Sequence, residues 1–139
     1  MNSDRQAKIK AYIEQDAYAN HLGAVLEEVR EGYARFSLEV KPEFINFNQL
    51  AHGGVIFSLG DLAFAAAGNS YGQMAVALEV KINFVKAGQL GDLLIAEAQV
   101  KSLNGPIGLF EITVKNGKTD ELISQSQATL YRKKRFFVE

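Results

Sequence analysis

At 139 residues, 47% hydrophobic and 22% charged, the chain has the size and composition of one globular domain able to bury its own core. A formal net charge of -1 provides no general attraction to nucleic acid or anionic membranes. The absence of cysteine excludes disulfides, a thiol nucleophile and thiolate-bound metal.

The opening MNSDRQAKIK is polar and charged, without the apolar segment of a secretory signal. No apolar run reaches the roughly 18 residues of a membrane span. The expectation is a cytoplasmic protein with neither a membrane nor a nucleic-acid partner. From Ser3 to about Ala19, the spacing of Ile9, Tyr12, Ile13 and Tyr18 among charges predicts a surface helix with Ser3 as its cap. Asn20-His21-Leu22-Gly23 breaks that pattern. Over residues 24–40 the period falls to about two, with Val25, Val29, Tyr33, Phe36, Leu38 and Val40 alternating with polar residues around Glu31-Gly32, which predicts a hairpin. Lys41-Pro42 opens a loop that lasts to Ala51. A helix is expected over about 53–68, ended by Gly68-Asn69-Ser70-Tyr71-Gly72. Strands are expected over 74–85, 93–103, 108–115 and 122–132. The breaks between them carry Gly, Asn or Pro, which suit turns. One helix among five or six antiparallel strands is an α+β domain.

The central helix is apolar nearly all round, so it must be buried on most sides. A long antiparallel sheet curling around it, with a second copy of the chain over the open side, would bury it. Asp61 interrupts this helix. A lone buried carboxylate is costly unless paired, hydrogen-bonded or used, so Asp61 is either a capped structural acid or a catalytic base or nucleophile. At the helix start, His52-Gly53-Gly54 leaves first-turn N–H groups open to close approach, at the positive end of the helix dipole. A carbonyl oxygen becoming an oxyanion would be stabilised there; alternatively the glycines only permit a tight join.

Gly53 and Asp61 are eight residues apart, roughly 12 Å along a helix. One substrate carbonyl cannot sit beside both in the same chain. If both act on it, they come from different subunits. Two antiparallel helices related by a two-fold axis, closest near Phe57, would bring residue 53 of each opposite residue 61 of the other.

The pattern Asn46-x5-His52-Gly53-Gly54-x6-Asp61 resembles the hotdog-fold acyl-CoA thioesterases of the phenylacetic-acid-degradation PaaI type. Gly68-Asn69-Ser70 and Val80-Lys81-Ile82-Asn83-Phe84 through Gly88 are also similar to that family. The resemblance spans about Leu22 to Tyr131. It implies a single hotdog domain over 1–139, with an N-terminal helix in 1–20 and the core in 22–135. It implies hydrolysis of an aryl or medium-chain acyl-CoA without a cofactor, coenzyme A being part of the substrate. On this reading the Gly53 N–H binds the thioester oxygen, Asn46 and His52 help hold the site, and Asp61 of the neighbouring subunit activates water or attacks the carbonyl. Gly54, Phe57, Asn69 and Ala77 are expected beside the substrate. The resemblance further implies a homodimer joined through strand 74–85, and a homotetramer of two such dimers. Two positions depart from the family pattern: Gln49 stands where relatives often carry Gly, and Ala77 where some carry a Ser or Thr that holds the water. The departure at Ala77 keeps a non-catalytic hotdog module that binds acyl-CoA or lipid as the alternative.

Other candidates have simpler readings. His52 by itself reads as a loop histidine, and His21 has no partner in view. Two histidines and no cysteine argue against a transition-metal site. Glu79 reads as a solvated strand residue, and Arg132-Lys133-Lys134-Arg135 as a solvated basic tail that could attract phosphates. Phe44, Phe47, Phe57 and Phe64 are either core or acyl-pocket lining.

Overall fold

The computed structural model describes residues 2–139. Helices α1 (Ser3–Ile13) and α2 (Ala17–Leu22) precede strands β1 (Val25–Arg30) and β2 (Tyr33–Glu39). A short 3-10 turn (Pro42–Phe44) and a loop lead into helix α3 (Gly53–Gly68). Strands β3 (Gln73–Phe84), β4 (Leu93–Asn104), β5 (Ile107–Asn116) and β6 (Leu122–Phe136) complete the chain. All six strands form one sheet in the order β1-β2-β4-β5-β6-β3, antiparallel throughout. No described helix is long and apolar enough to cross a membrane.

The core lies between α3 and the inner face of the sheet. Period-two burial brings Phe36 and Leu38 of β2, Leu94 of β4, Phe110, Ile112 and Val114 of β5, and Leu130 of β6 onto that face. Ala34, Ala96, Ala98 and Ala128 are buried on it too, and their small side chains leave room for a helix. At Gly60 a Cβ would come 3.3 Å from the Ile112 side chain, so glycine is what lets α3 approach β5 this closely. Leu59, Leu62, Ala63, Phe64, Ala66 and Ala67 of α3 are buried. Each such Leu or Phe contributes about 1.5–3 kcal/mol by leaving water.

Four sequence expectations need correction. The N-terminal helix is two helices, because Asp16 starts a second one with its carboxylate accepting from the Ala19 N–H at 2.9 Å. The segment read as a break at 20–22 is the end of α2, which Gly23 closes. Asn2 caps α1, accepting from the Arg5 N–H at 2.8 Å, where Ser3 was expected to. Strand β6 runs on to Phe136, paired with Gln73, so the four basic residues lie on a paired strand rather than a free tail. Sheet hydrogen bonds are blind to side-chain charge, which is why the basic run did not end the strand.

Candidate active site

The loop before α3 is folded around Asn46. Its side-chain oxygen accepts from the backbone N–H groups of Asn48 (2.9 Å) and Leu50 (3.1 Å). Its backbone N–H donates to the Leu50 carbonyl at 2.8 Å, and a bridge pairs Ile45 with Ala51. Within this tight turn Gln49 has φ of 64°. A non-glycine residue there costs roughly 1–2 kcal/mol, a physical reason for a glycine at the equivalent place in proteins with this pattern. The Asn46 amide nitrogen has no hydrogen-bond partner among the described residues.

The loop delivers His52 to the head of α3 with its backbone N–H bonded to the Phe44 carbonyl at 2.8 Å. His52 is the N-cap: Nδ1 accepts from the Gly54 N–H at 2.8 Å. A Cβ on residue 54 would lie 3.0 Å from that Nδ1, so the glycine makes room for the imidazole. The Val55 and Ile56 N–H groups both donate to the His52 carbonyl. Of the first-turn donors, that of Gly53 has no partner among the described residues. It lines a cavity of about 290 Å³ with Asn46, Ile56, Phe84 and Val85, and the Phe84 ring lies about one van der Waals contact from where a Gly53 Cβ would be.

Two turns on, Asp61 lies half-buried on the one stripe of α3 that the sheet leaves uncovered. Gly54, Phe57 and Ala65 are the exposed residues of that stripe, spaced three and four apart as one helix face requires. Asp61 forms no ion pair among the described residues. Burial raises its carboxyl above the ordinary range, and the nearby charge of Asp16 raises it further. Asp61 lines a second cavity, about 210 Å³, with Phe64, Ala65, Asn69, Ala75, Ala77 and Leu130. Gly53 and Asp61 line separate cavities among the described residues.

Around Asp61 the structure gathers Ala77, in the same cavity wall, and Asn69. The Asn69 amide is engaged by backbone: it donates to Ala65 O (2.8 Å) and Ala75 O (3.3 Å) and accepts from Ala75 N (3.0 Å), joining α3 to β3. Phe57 is 37% exposed and Phe47 91% exposed, whereas Phe44 and Phe64 are buried. Phe64 meets Phe110 edge-on at 5.5 Å and also reaches the Asp61 cavity. Glu79 is exposed on β3, and no three His, Cys, Asp or Glu side chains converge as metal ligands among the described residues.

Two neighbours of the stripe were missed in the sequence. Asp16 acts on Asp61 by charge; an Asp ahead of an apolar helical segment was a readable cap signal. Tyr18 shares a 2.9 Å hydroxyl–hydroxyl hydrogen bond with Ser58, one turn before Asp61. Nothing in the local pattern foretold that long-range contact.

Comparison with known proteins agrees with this architecture. A family model described as "Thioesterase superfamily" matches residues 48–123, which include the end of the loop, α3 and strands β3, β4 and β5. The acyl-coenzyme A thioesterase PaaI of Escherichia coli is 39% identical over 120 residues, 86% of this chain and 80% of its own. The solved E. coli PaaI structure superposes with a TM-score of 0.91, covering 96% of this chain and 97% of that one at 33% identity. An Archaeoglobus fulgidus protein is 40% identical over 90% of this chain and 81% of its own. A Streptococcus mutans protein solved bound to acetyl CoA superposes at 0.75, with 26% identity over 79% of this chain and 88% of its own. The six-stranded sheet wrapped on α3 is thus the hotdog fold, and the chain belongs to the thioesterase superfamily as a PaaI-like thioester hydrolase.

Proposed function

We propose that the protein hydrolyses aryl or medium-chain acyl-CoA thioesters to free acid and CoA, at two equivalent sites of a homodimer. The observation that carries this reading is the division of the site: an open N–H at Gly53 and an uncompensated carboxylate at Asp61, two turns apart along one helix and in separate cavities. A two-fold axis near Phe57 would join one cavity of each subunit to the other cavity of its partner. Edge strand β3, whose Val76 and Leu78 are exposed, offers unpaired backbone for the same dimer. Two such dimers would make a tetramer.

In this site the Gly53 N–H receives the thioester oxygen as it gains charge, a donor worth about 2.7–4 kcal/mol in the transition state. The partner's carboxylate at position 61 either takes a proton from the water that attacks the carbonyl carbon, or attacks that carbon itself. In both cases the C–S bond breaks and the thiolate of CoA leaves, and in the second case water then hydrolyses the resulting anhydride to free acid and the original carboxylate. The Asn46 amide nitrogen is available to a substrate carbonyl or to the attacking water. Water is the only co-reactant, so no separate cofactor is required. The substrate class is supported by the activity of the E. coli relative and by acetyl CoA in the S. mutans one. A cysteine-free chain suits the reducing cytoplasm where this reading puts the enzyme.

Thiol release from a panel of phenylacetyl-, benzoyl- and straight-chain acyl-CoAs tests the reading. Asp61→Asn should abolish turnover while the dimer stays intact by sedimentation. Undiminished turnover in that variant, or saturable binding of every acyl-CoA with no thiol release by the unaltered protein, overturns it.

A further inference from the structure

The first helix contributes little to the core: Ile9 is its one buried residue. Its position is nonetheless fixed by specific polar contacts. The Gln6 amide donates to the Val29 carbonyl at 2.7 Å, and the Arg5 guanidinium donates to the Tyr71 carbonyl. At the other end of the chain, the Phe137 N–H donates to the Gly72 carbonyl at 2.9 Å. These contacts bring the two termini together, and the rings of Tyr12 and Phe137 meet edge-on with centroids 4.3 Å apart and planes at 87°.

Under that ring pair lies a cavity of about 340 Å³, walled by Tyr12 and Ile13 of α1, Phe36 of β2, Leu62 and Ala65 of α3, and Phe137. Ala65 and Asn69 line this cavity and the Asp61 cavity alike. Ala65 is one turn beyond Asp61 on the uncovered stripe, and its small side chain lies on the wall of both spaces. A space of this size is at the small end of the range for organic ligands; Gln15, Asp16 and Asn69 give it a polar part, and the aromatic and aliphatic remainder of the wall suits an apolar group.

We infer that this cavity receives the acyl group of the substrate, which passes Ala65 from Asp61, and that the Tyr12–Phe137 pair at the junction of the termini limits its length. The inference rests on the acyl-CoA reading and adds to it where the acyl chain lies and which residues measure it. Each methylene taken out of water there contributes about fourfold in affinity, so the cavity selects aryl and medium-chain groups over acetyl.

The test uses the full chain. Ala65→Phe fills the passage; Tyr12→Ala opens the far wall. Both positions are partly or wholly exposed, so folding is expected to survive and is checked by thermal melting. For the unaltered protein and each variant, kcat/KM is measured for acetyl-, butyryl-, hexanoyl-, octanoyl- and phenylacetyl-CoA. Ala65→Phe should lower the octanoyl-to-acetyl ratio at least tenfold, and Tyr12→Ala should move the preferred chain to greater length. An unchanged ratio in Ala65→Phe, or an equal fall for every substrate, overturns the inference. The same series of dissociation constants, measured by calorimetry in an Asp61→Asn background, separates the two levels. Length-dependent affinity that collapses with Ala65→Phe supports the pocket even if no acyl-CoA is hydrolysed. Affinity independent of chain length rejects the pocket even if hydrolysis is established. Should a variant fail to fold, Phe137→Ala, which removes the other ring of the pair, is read by the same two series.

Discussion

The imidazole of His52 accepts a hydrogen bond from the Gly54 N–H at 2.8 Å, while the neighbouring Gly53 N–H at the head of α3 has no partner among the described residues. The two glycines of the motif therefore have different physical tasks. One makes room for the cap; the other presents a bare donor to the solvent-facing cavity.

Gly53→Pro should remove that donor with little cost to folding. Residue 53 is the first of the helix, where proline fits and the N–H is unpaired anyway. His52, the residue before it, already has the extended backbone (φ -62°, ψ 135°) that a following proline requires. The expected result is a melting temperature near that of the unaltered protein and a fall of about 10²–10³ in kcat. Unaltered turnover would show that the oxyanion donor lies elsewhere.

His52→Asn tests whether the imidazole is a cap or a proton carrier. Asparagine is a strong N-cap and cannot shuttle protons, so it should keep both stability and most of the rate. His52→Ala should cost about 1 kcal/mol of stability through the lost cap, measured by urea denaturation. A large loss of kcat in a fully stable His52→Asn protein would assign proton transfer to the ring.

At Asn46, two requirements can be separated within one side chain. Its oxygen holds the loop through the Asn48 and Leu50 N–H groups, while its amide nitrogen is available to a ligand. Asn46→Asp keeps the acceptor and loses the donor; Asn46→Ala loses both. The first should melt close to the unaltered protein yet turn over more slowly, and the second should also lose about 1–3 kcal/mol from two hydrogen bonds. Equal rates in Asn46→Asp and the unaltered protein would confine Asn46 to holding the loop.

The central stripe was legible in the sequence because its information is local. The HGG turn, the apolar run and the single Asp stand within one helix, and eight residues of rise fix their separation. What escaped was made by residues far apart in the chain. The continuing apolar pattern of Ala17 and Tyr18 hid the break at Gln15, and only the fold brings Asp16 to Asp61 and Tyr18 to Ser58. The strand end at Phe136 escaped likewise, because its partner Gln73 is across the sheet. Patterning reports which face is buried, not which distant group will face it.

The charge of Asp16 gives a handle on Asp61. Burial, and then Asp16, make the folded protein hold the Asp61 proton more tightly than the unfolded chain, whose value is about 3.9. Between that value and the raised one the folded state binds more protons, so this group's contribution to stability falls as pH rises through the window, and the penalty persists above it. Asp61→Asn should therefore stabilise the protein at neutral pH, with the gain fading below about pH 4. Asp16→Asn keeps the α2 cap, since asparagine caps as well as aspartate, but removes the charge. The acid limb of its kcat/KM profile should move to lower pH, while an unmoved limb would mean that Asp16 does not act on the group that titrates.

The division of the site between subunits has a test that no single-subunit mechanism passes. Asp61→Asn and Gly53→Pro proteins should each be nearly inactive, because each homodimer lacks the same component in both sites. In a hybrid of the two, one site combines the intact Gly53 N–H of the first chain with the intact Asp61 of the second, and the other site has neither. If subunits exchange at random, half the dimers are hybrids with one working site in two, so mixing should restore about a quarter of the original activity in a two-fold dimer. The recovery should follow the rate of subunit exchange, read independently by sedimentation of tagged and untagged chains. If each site were built from one chain, every site in the mixture would still lack a component, and no activity would return at any time.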